Sequence, residues 1–171
     1  MARTHCVRRR SGEAGISLIE TLVVLGSVTI TILGILTAHV TAAQLNRTNH
    51  ETTLASEAIR SRMETIAAST PDTVIAAYGS GTAPGPTFTL ATLGANSAGQ
   101  RGTVEMPLSG GILRENVTNS ALGMPKDLNG DGVIDSLDHT ADWKILPVLV
   151  RLRWNGVNGD REMRLATVLY R

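Results

Sequence analysis

The sequence predicts an α+β protein, a long N-terminal transmembrane helix packed on a small antiparallel sheet, and three observations predict it. From Thr21 to Ala38 the chain runs eighteen residues without a charge. Apolar residues at helical spacing continue through Ala55, Ala58, Ile59, Met63, Ile66 and Ala67 until Pro71 ends the pattern. Near the C-terminus two alternating runs, Val148-Val150-Leu152-Trp154 and Met163-Leu165-Thr167-Leu169, flank the Asn/Gly-rich stretch 155–160. That is the signature of an antiparallel hairpin over 145–170.

The elements follow in order. A bilayer core needs roughly 20 apolar residues in helical form, and widening the uncharged run to 16–40 supplies them. With 171 residues and 42% hydrophobic content, the rest of the chain offers no core large enough to bury such a helix. Residues 41–70 continue it amphipathically, with Glu57, Arg60, Ser61 and Glu64 off the apolar stripe. At about 1.5 Å per residue, one helix from Ile16 to Ser69 would be roughly 80 Å long. Residues 71–171 form the head. Within it, 69–102 is rich in Gly, Ala, Ser, Thr and Pro and reads as an exposed connection with a strand near Phe88–Leu93. Short strands are expected at 102–108 and 112–117 before the hairpin.

Charge sets orientation. The formal net charge of +1 conceals an asymmetry, since Arg3, Arg8, Arg9 and Arg10 face only Glu13 ahead of the apolar run. Basic residues before a span place its N-terminus in the cytoplasm and the head outside. The remainder is slightly acidic, which gives no reason to expect a nucleic-acid partner. The lone cysteine, Cys6, rules out an internal disulfide framework.

A secretory signal places its cleavage site after the apolar stretch. Here the basic leader 1–15 meets Gly15 first, so cleavage at the glycine would remove the charges and keep the helix. Gly15, Ile16, Ser17, Leu18, Ile19 and Glu20 resemble the prepilin leader junction of type IV pilins and type II secretion pseudopilins, a resemblance spanning about residues 8–40. Ile16 stands where Phe or Met is usual. The resemblance implies a pilin-like fold, cleavage after Gly15 by a prepilin peptidase, and N-methylation of Ile16. It implies other pilin or pseudopilin subunits, an inner-membrane assembly platform and membrane lipid as partners. It also implies single-pass residence in the bacterial inner membrane with a periplasmic or extracellular head. The lack of a proline between Ile16 and Ser69 fits a minor pilin or pseudopilin.

Glu20 is the assembly residue in this reading. A charged side chain inside a bilayer costs about 2.5–3.5 kcal/mol on insertion scales and so seeks a partner. The resemblance supplies one, the N-terminal amine of a neighbouring subunit. Two other fates stay open: snorkelling to the head groups, and pairing with its own amine four residues away.

The second motif is D-L-N-G-D-G-V-I-D-S-L-D, Asp127 to Asp138. Its spacing is that of a calcium loop, with oxygen ligands from Asp127, Asn129, Asp131, the Val133 carbonyl, Asp135 and Asp138, and Gly132 at the sharp turn. It resembles the EF-hand loop, and more closely the dockerin version, which also ends in Asp. Clustered acidic oxygens repel one another without a cation, so Ca2+ is the expected cofactor, with a structural role at the entry to the hairpin.

Nothing in the sequence assembles a catalytic site. His5, His39, His50 and His139 are dispersed, no H-E-x-x-H or Gly-rich phosphate loop occurs, and His139 reads as an exposed loop residue. Arg151, Arg153, Arg161, Arg164 and Arg171 cluster on the hairpin, but aromatics at 3% leave few stacking platforms for nucleic acid. Arg/Glu pairing on a solvated strand face accounts for them better. The expectation is a structural filament subunit and not an enzyme; the alternative is a membrane-anchored calcium-binding module that never polymerises.

Overall fold

The computed structural model describes residues 17–79, 81–90, 93 and 101–171. Its elements are α1 (Leu18–Ala68), α2 (Pro71–Tyr78), β1 (Thr87–Phe88), β2 (Arg101–Glu105), β3 (Leu108–Ser109), β4 (Ile112–Leu113), a 3-10 turn (Ser120–Leu122), β5 (Ile145–Gly156) and β6 (Gly159–Tyr170). The chain divides into two compact units at residues 43 and 44. The class is α+β, a long apolar N-terminal helix and a small antiparallel sheet.

In the first unit every described residue of α1 is exposed, including Leu22, Leu25, Ile30, Leu33 and Leu36. Among the described residues this is the one helix long and apolar enough to cross a membrane. Its serines and threonines do not interrupt it, because Ser27, Thr29, Thr31, Thr37 and Thr41 turn their hydroxyls back onto carbonyls three or four residues earlier.

In the second unit α1 becomes amphipathic. Ala55, Ile59, Met63 and Ile66 are buried, at steps of four, four and three that stack one face of a helix. The helix stops where the sequence requires it. Pro71 forces Thr70 into extended backbone and then serves as the first residue of α2. That second helix falls in the stretch expected to be an exposed connection. Val74, Ile75 and Tyr78 are buried on it, so 71–78 belongs to the core.

The main sheet has the order β1-β2-β5-β6, antiparallel throughout, and β3 pairs with β4 across the two-residue turn Gly110-Gly111. The long hairpin forms as expected, with Leu152 opposite Met163 and Trp154 opposite Arg161. Strands at 101–105 and 112–113 lie within or beside the expected short strands, and β1 is confined to two residues. Along β5 the residues Leu146, Val148, Val150, Leu152 and Trp154 are buried and share a core cluster with the α1 stripe and α2. The opposite face changes character along its length. Pro147 and Leu149 are buried where the 3-10 turn lies against β5, and Arg151 and Arg153 then emerge. Their guanidiniums pair with Glu105 (3.0 Å) and Glu162 (2.7 Å), and Arg171 pairs with Asp72 (2.9 Å). Three of the five arginines of the cluster are thus engaged in intramolecular pairs.

The edge of the sheet is fastened by the only phenylalanine. Phe88 lies opposite Gly102 with its ring against the glycine, and the Arg62 guanidinium covers that ring at 4.7 Å from its centroid. A Cβ at position 102 would stand 2.3 Å from Phe88 Cζ. Gly102→Ala should therefore destabilise the head by about 1–3 kcal/mol through overpacking, read as a lower urea midpoint for the detergent-solubilised protein. An unchanged midpoint would show that the ring moves freely off the sheet.

Candidate metal centre

The loop 127–138 is organised by its own side chains. Asp127 accepts the N–H of Gly130 (2.5 Å) through Oδ1 and that of Gly132 (2.8 Å) through Oδ2. Asn129 Oδ1 accepts from Asp131, Asp131 Oδ1 from Val133, Asp135 Oδ1 from Leu137 and Asp138 Oδ1 from Thr140, each two residues ahead. These successive Asx turns coil the segment. Gly130 and Gly132 supply φ of 76° and 87°, a left-handed backbone that residues with a Cβ rarely adopt. The same hydrogen bonds stabilise the ionised acids. The Gly132 N–H holds the Asp127 carboxyl below the usual carboxylate range, the His139 ring and the Leu137 N–H do so for Asp135, and the Thr140 hydroxyl and N–H do so for Asp138.

A residue outside the motif holds this loop to the fold. Glu115, two residues after β4, is wholly buried. Its Oε1 accepts the N–H of Leu128 (2.6 Å) and Asn129 (3.2 Å), and its Oε2 accepts that of Asp135 (3.4 Å). One carboxylate therefore grips both limbs of the loop. The buried Leu128 in turn gives its carbonyl to the N–H groups of Lys144 and Ile145, which ties the loop entrance to the first residue of β5. Arg114 donates to the Ser136 carbonyl from outside.

His139, expected to be exposed, is 3% exposed. Its Nε2 lies 3.0 Å from Asp135 Oδ1 and 3.8 Å from Glu115 Oε2, and its Nδ1 lies 3.2 Å from Asp142 Oδ1. The Asp135 hydrogen bond raises the imidazole pKa above its ordinary value, with Glu115 and Asp142 acting in the same direction and burial opposing them. Burial follows from the backbone: the His139 N–H donates to the Leu113 carbonyl and the His139 carbonyl accepts from Trp143.

Among the described residues, metal-ligating side chains converge in the group Glu115, Asp135 and His139, each offering an atom within 4.8 Å of the others. These three could hold a metal ion. Of the ligands expected from the sequence, Asp135 joins this group. Asp127, Asn129, Asp131 and Asp138 accept from backbone N–H groups within the coil, and Asn129 Nδ2 also donates to Asp131 (3.1 Å) and Asp142 (3.4 Å). Val133 is exposed. Sequence reasoning missed Glu115, which precedes the loop by twelve residues; the alternation of I-L-R-E-N-V points to a short strand and not to a ligand, and no motif includes the glutamate. It missed His139 as a site residue for a different reason: only burial distinguishes a ligand-like imidazole from an ordinary loop histidine.

Glu20 lies exposed in the first turn of α1, where the helix N-terminus favours a negative charge. Gly15 and Ile16, with the leader 1–15, are outside the described residues. No family model, curated protein or solved structure matches the chain.

Replacing Glu115 by Ala would strand the buried Leu128 N–H and the part-buried N–H groups of Asn129 and Asp135, and leave His139 short of a counter-charge. The expected loss is about 3–5 kcal/mol, followed by the fluorescence of the buried Trp143 and Trp154 during urea unfolding. Glu115→Gln, which keeps a carbonyl acceptor, should cost less than half as much. Equal losses would mean that Glu115 acts through its charge alone.

Proposed function

We propose that the chain is a type IV pilin-like structural subunit, a minor pilin or pseudopilin of a bacterial type IV pilus or type II secretion filament. The observation that carries the reading is the sequence junction Gly15-Ile16-Ser17-Leu18-Ile19-Glu20, together with an apolar helix from Leu18 that has a single exposed carboxylate in its first turn. An antiparallel sheet in the unit that follows supports it, as does the absence of proline within α1. On this reading a prepilin peptidase cuts after Gly15 and methylates Ile16, and the helix is retained in the inner membrane with the head outside. Glu20 then pairs with the N-terminal amine of the next subunit. The partners are other pilin or pseudopilin subunits and the assembly platform.

The head takes Ca2+ in the loop 127–138. The donor chemistry fits: hard carboxylate and amide oxygens at Asp127, Asn129, Asp131, Asp135 and Asp138, the Val133 carbonyl, and glycine at the sixth position. An Asp in the last position, where a bidentate Glu binds most tightly, suits a weak site bathed in extracellular calcium. Calcium there stabilises the connection into β5 and has no catalytic role.

The maturation test is the intact mass of the protein from membranes of cells with and without a prepilin peptidase. The expected product begins at methylated Ile16 only when the peptidase is present. A full-length product in both would leave the alternative, a calcium-binding head on a membrane anchor that does not polymerise. Glu20→Ala should insert normally and fail to enter filaments, scored by sheared-filament immunoblot; normal incorporation would remove the assembly role.

Calcium at a hundredfold excess over its Kd should add about 2.7 kcal/mol, a rise in Tm of roughly 5–10 °C for a domain of this size. Asp131→Ala should erase that rise. A wild-type protein indifferent to calcium would end the calcium assignment.

A further inference from the structure

We infer that Glu115, Asp135 and His139 form a second metal site, for a first-row transition cation of the zinc type, set behind the loop 127–138 and chemically distinct from a calcium site.

Ligand identity argues for this class of ion. Calcium takes oxygen ligands, whereas a buried imidazole beside two carboxylates is a donor set for zinc and its neighbours. Geometry agrees. Ligands at about 2.0–2.1 Å from a tetrahedral zinc stand about 3.4 Å from one another, and the distances from His139 Nε2 to Asp135 Oδ1 and Glu115 Oε2, 3.0 and 3.8 Å, bracket that edge. Small adjustments of two side chains would complete three ligand directions.

The surroundings supply the outer shell such a site requires. A metal-bound imidazole usually gives its second N–H to a carboxylate, which fixes the tautomer and strengthens the ligand. Asp142 Oδ1 occupies that position at 3.2 Å from Nδ1. The Glu115 carboxylate is likewise oriented by the Leu128 and Asn129 N–H groups on Oε1, which leaves Oε2 on the histidine side with its single longer contact to the Asp135 N–H.

Charge gives the driving force. Among the described residues Glu115, Asp135 and Asp142 form ion pairs with His139 and with no lysine or arginine. Three carboxylates thus share at most one imidazolium charge, and the two that face Nε2 are balanced by a divalent cation in place of one proton. On binding, the Nε2 proton is released to solvent and the nitrogen lone pair becomes the metal ligand. Asp135 belongs both to this group and to the coiled loop, so the site sits where a second ion could reinforce the connection into β5.

The test is a titration of the detergent-solubilised full chain with ZnCl2, in saturating calcium so that the loop is occupied, and a parallel titration with CoCl2 read by visible absorption. The expected result is one zinc bound at micromolar or lower Kd and a cobalt spectrum of low-coordinate, nitrogen-ligated metal. His139→Gln should lose the spectrum and weaken binding at least 100-fold, and Asp142→Asn, which touches no metal, should weaken it about 10–100-fold. The calcium-induced rise in Tm should persist in His139→Gln, so failure of the zinc site and failure of the calcium assignment are distinguishable, and its persistence also shows that the variant folds. Absence of zinc binding by the wild type, binding unaffected by either substitution, or displacement of zinc by calcium at equal affinity would each overturn the inference.

Discussion

The head depends on one buried carboxylate. Glu115 enters the interior with no exposed surface and accepts backbone N–H groups from Leu128 and Asn129 at the start of the loop 127–138 and from Asp135 on its returning limb. A fully buried charge is tolerable only when its oxygens are occupied by donors, and here the donors come from the segment that must be held. The loop has a glycine-punctuated sequence that buries one apolar residue, Leu128, and exposes Val133, Ile134 and Leu137. Its place in the fold is set by hydrogen bonds to Glu115 and by the clasp between Leu128 and the start of β5. The turn at Gly110-Gly111, by pairing β3 with β4, fixes the point from which Glu115 descends.

Around this centre the packing follows ordinary rules. A four-residue stripe on α1, three residues of α2 and one face of β5 make a continuous apolar cluster, with Trp143 and Trp154 as its largest members. β5 is an inner strand of the sheet, and its first half is covered on both faces. Its second half returns to the alternation of a sheet with one wet face, and there arginine and glutamate side chains pair across the strands. The C-terminal Arg171 adds a contact to Asp72 at the start of α2 and another to the Ala141 carbonyl, so the last residue braces both the helix and the segment leaving the loop.

The two units of the chain are stabilised by opposite means. The first part of α1 holds its shape through its own backbone hydrogen bonds and hydroxyl back-bonding, and leaves its apolar side chains exposed. Such a segment is suited to a medium as apolar as itself, in which a helix satisfies every backbone group internally. The head hides its apolar surface internally and pairs Arg151, Arg153 and Arg171 with Glu105, Glu162 and Asp72. The proposed filament reading joins these facts with Glu20, the one carboxylate in the apolar part of the helix.

What the sequence determined by itself is what depends on local periodicity and turn chemistry. The uncharged run, the 3.6-residue stripe ending at Pro71, the period-2 hairpin and the Asx-Gly spacing of 127–138 are each written within a few consecutive residues, and each appears in the structure as an element or a coiled turn. Residues 71–78 were less legible, since a Pro-Asp start and buried Val74, Ile75 and Tyr78 make too short a pattern to separate from a polar connection. Tertiary structure alone decided the metal-capable group and the grip on the loop. Asp135 and His139 are four residues apart, but Glu115 lies twenty residues before Asp135, and what brings it to them is the folding of the coiled loop against the segment that follows β4. Burial then turns an ordinary glutamate and an ordinary histidine into the most constrained polar groups of the head, because desolvated charges must find partners and the fold determines which are within reach.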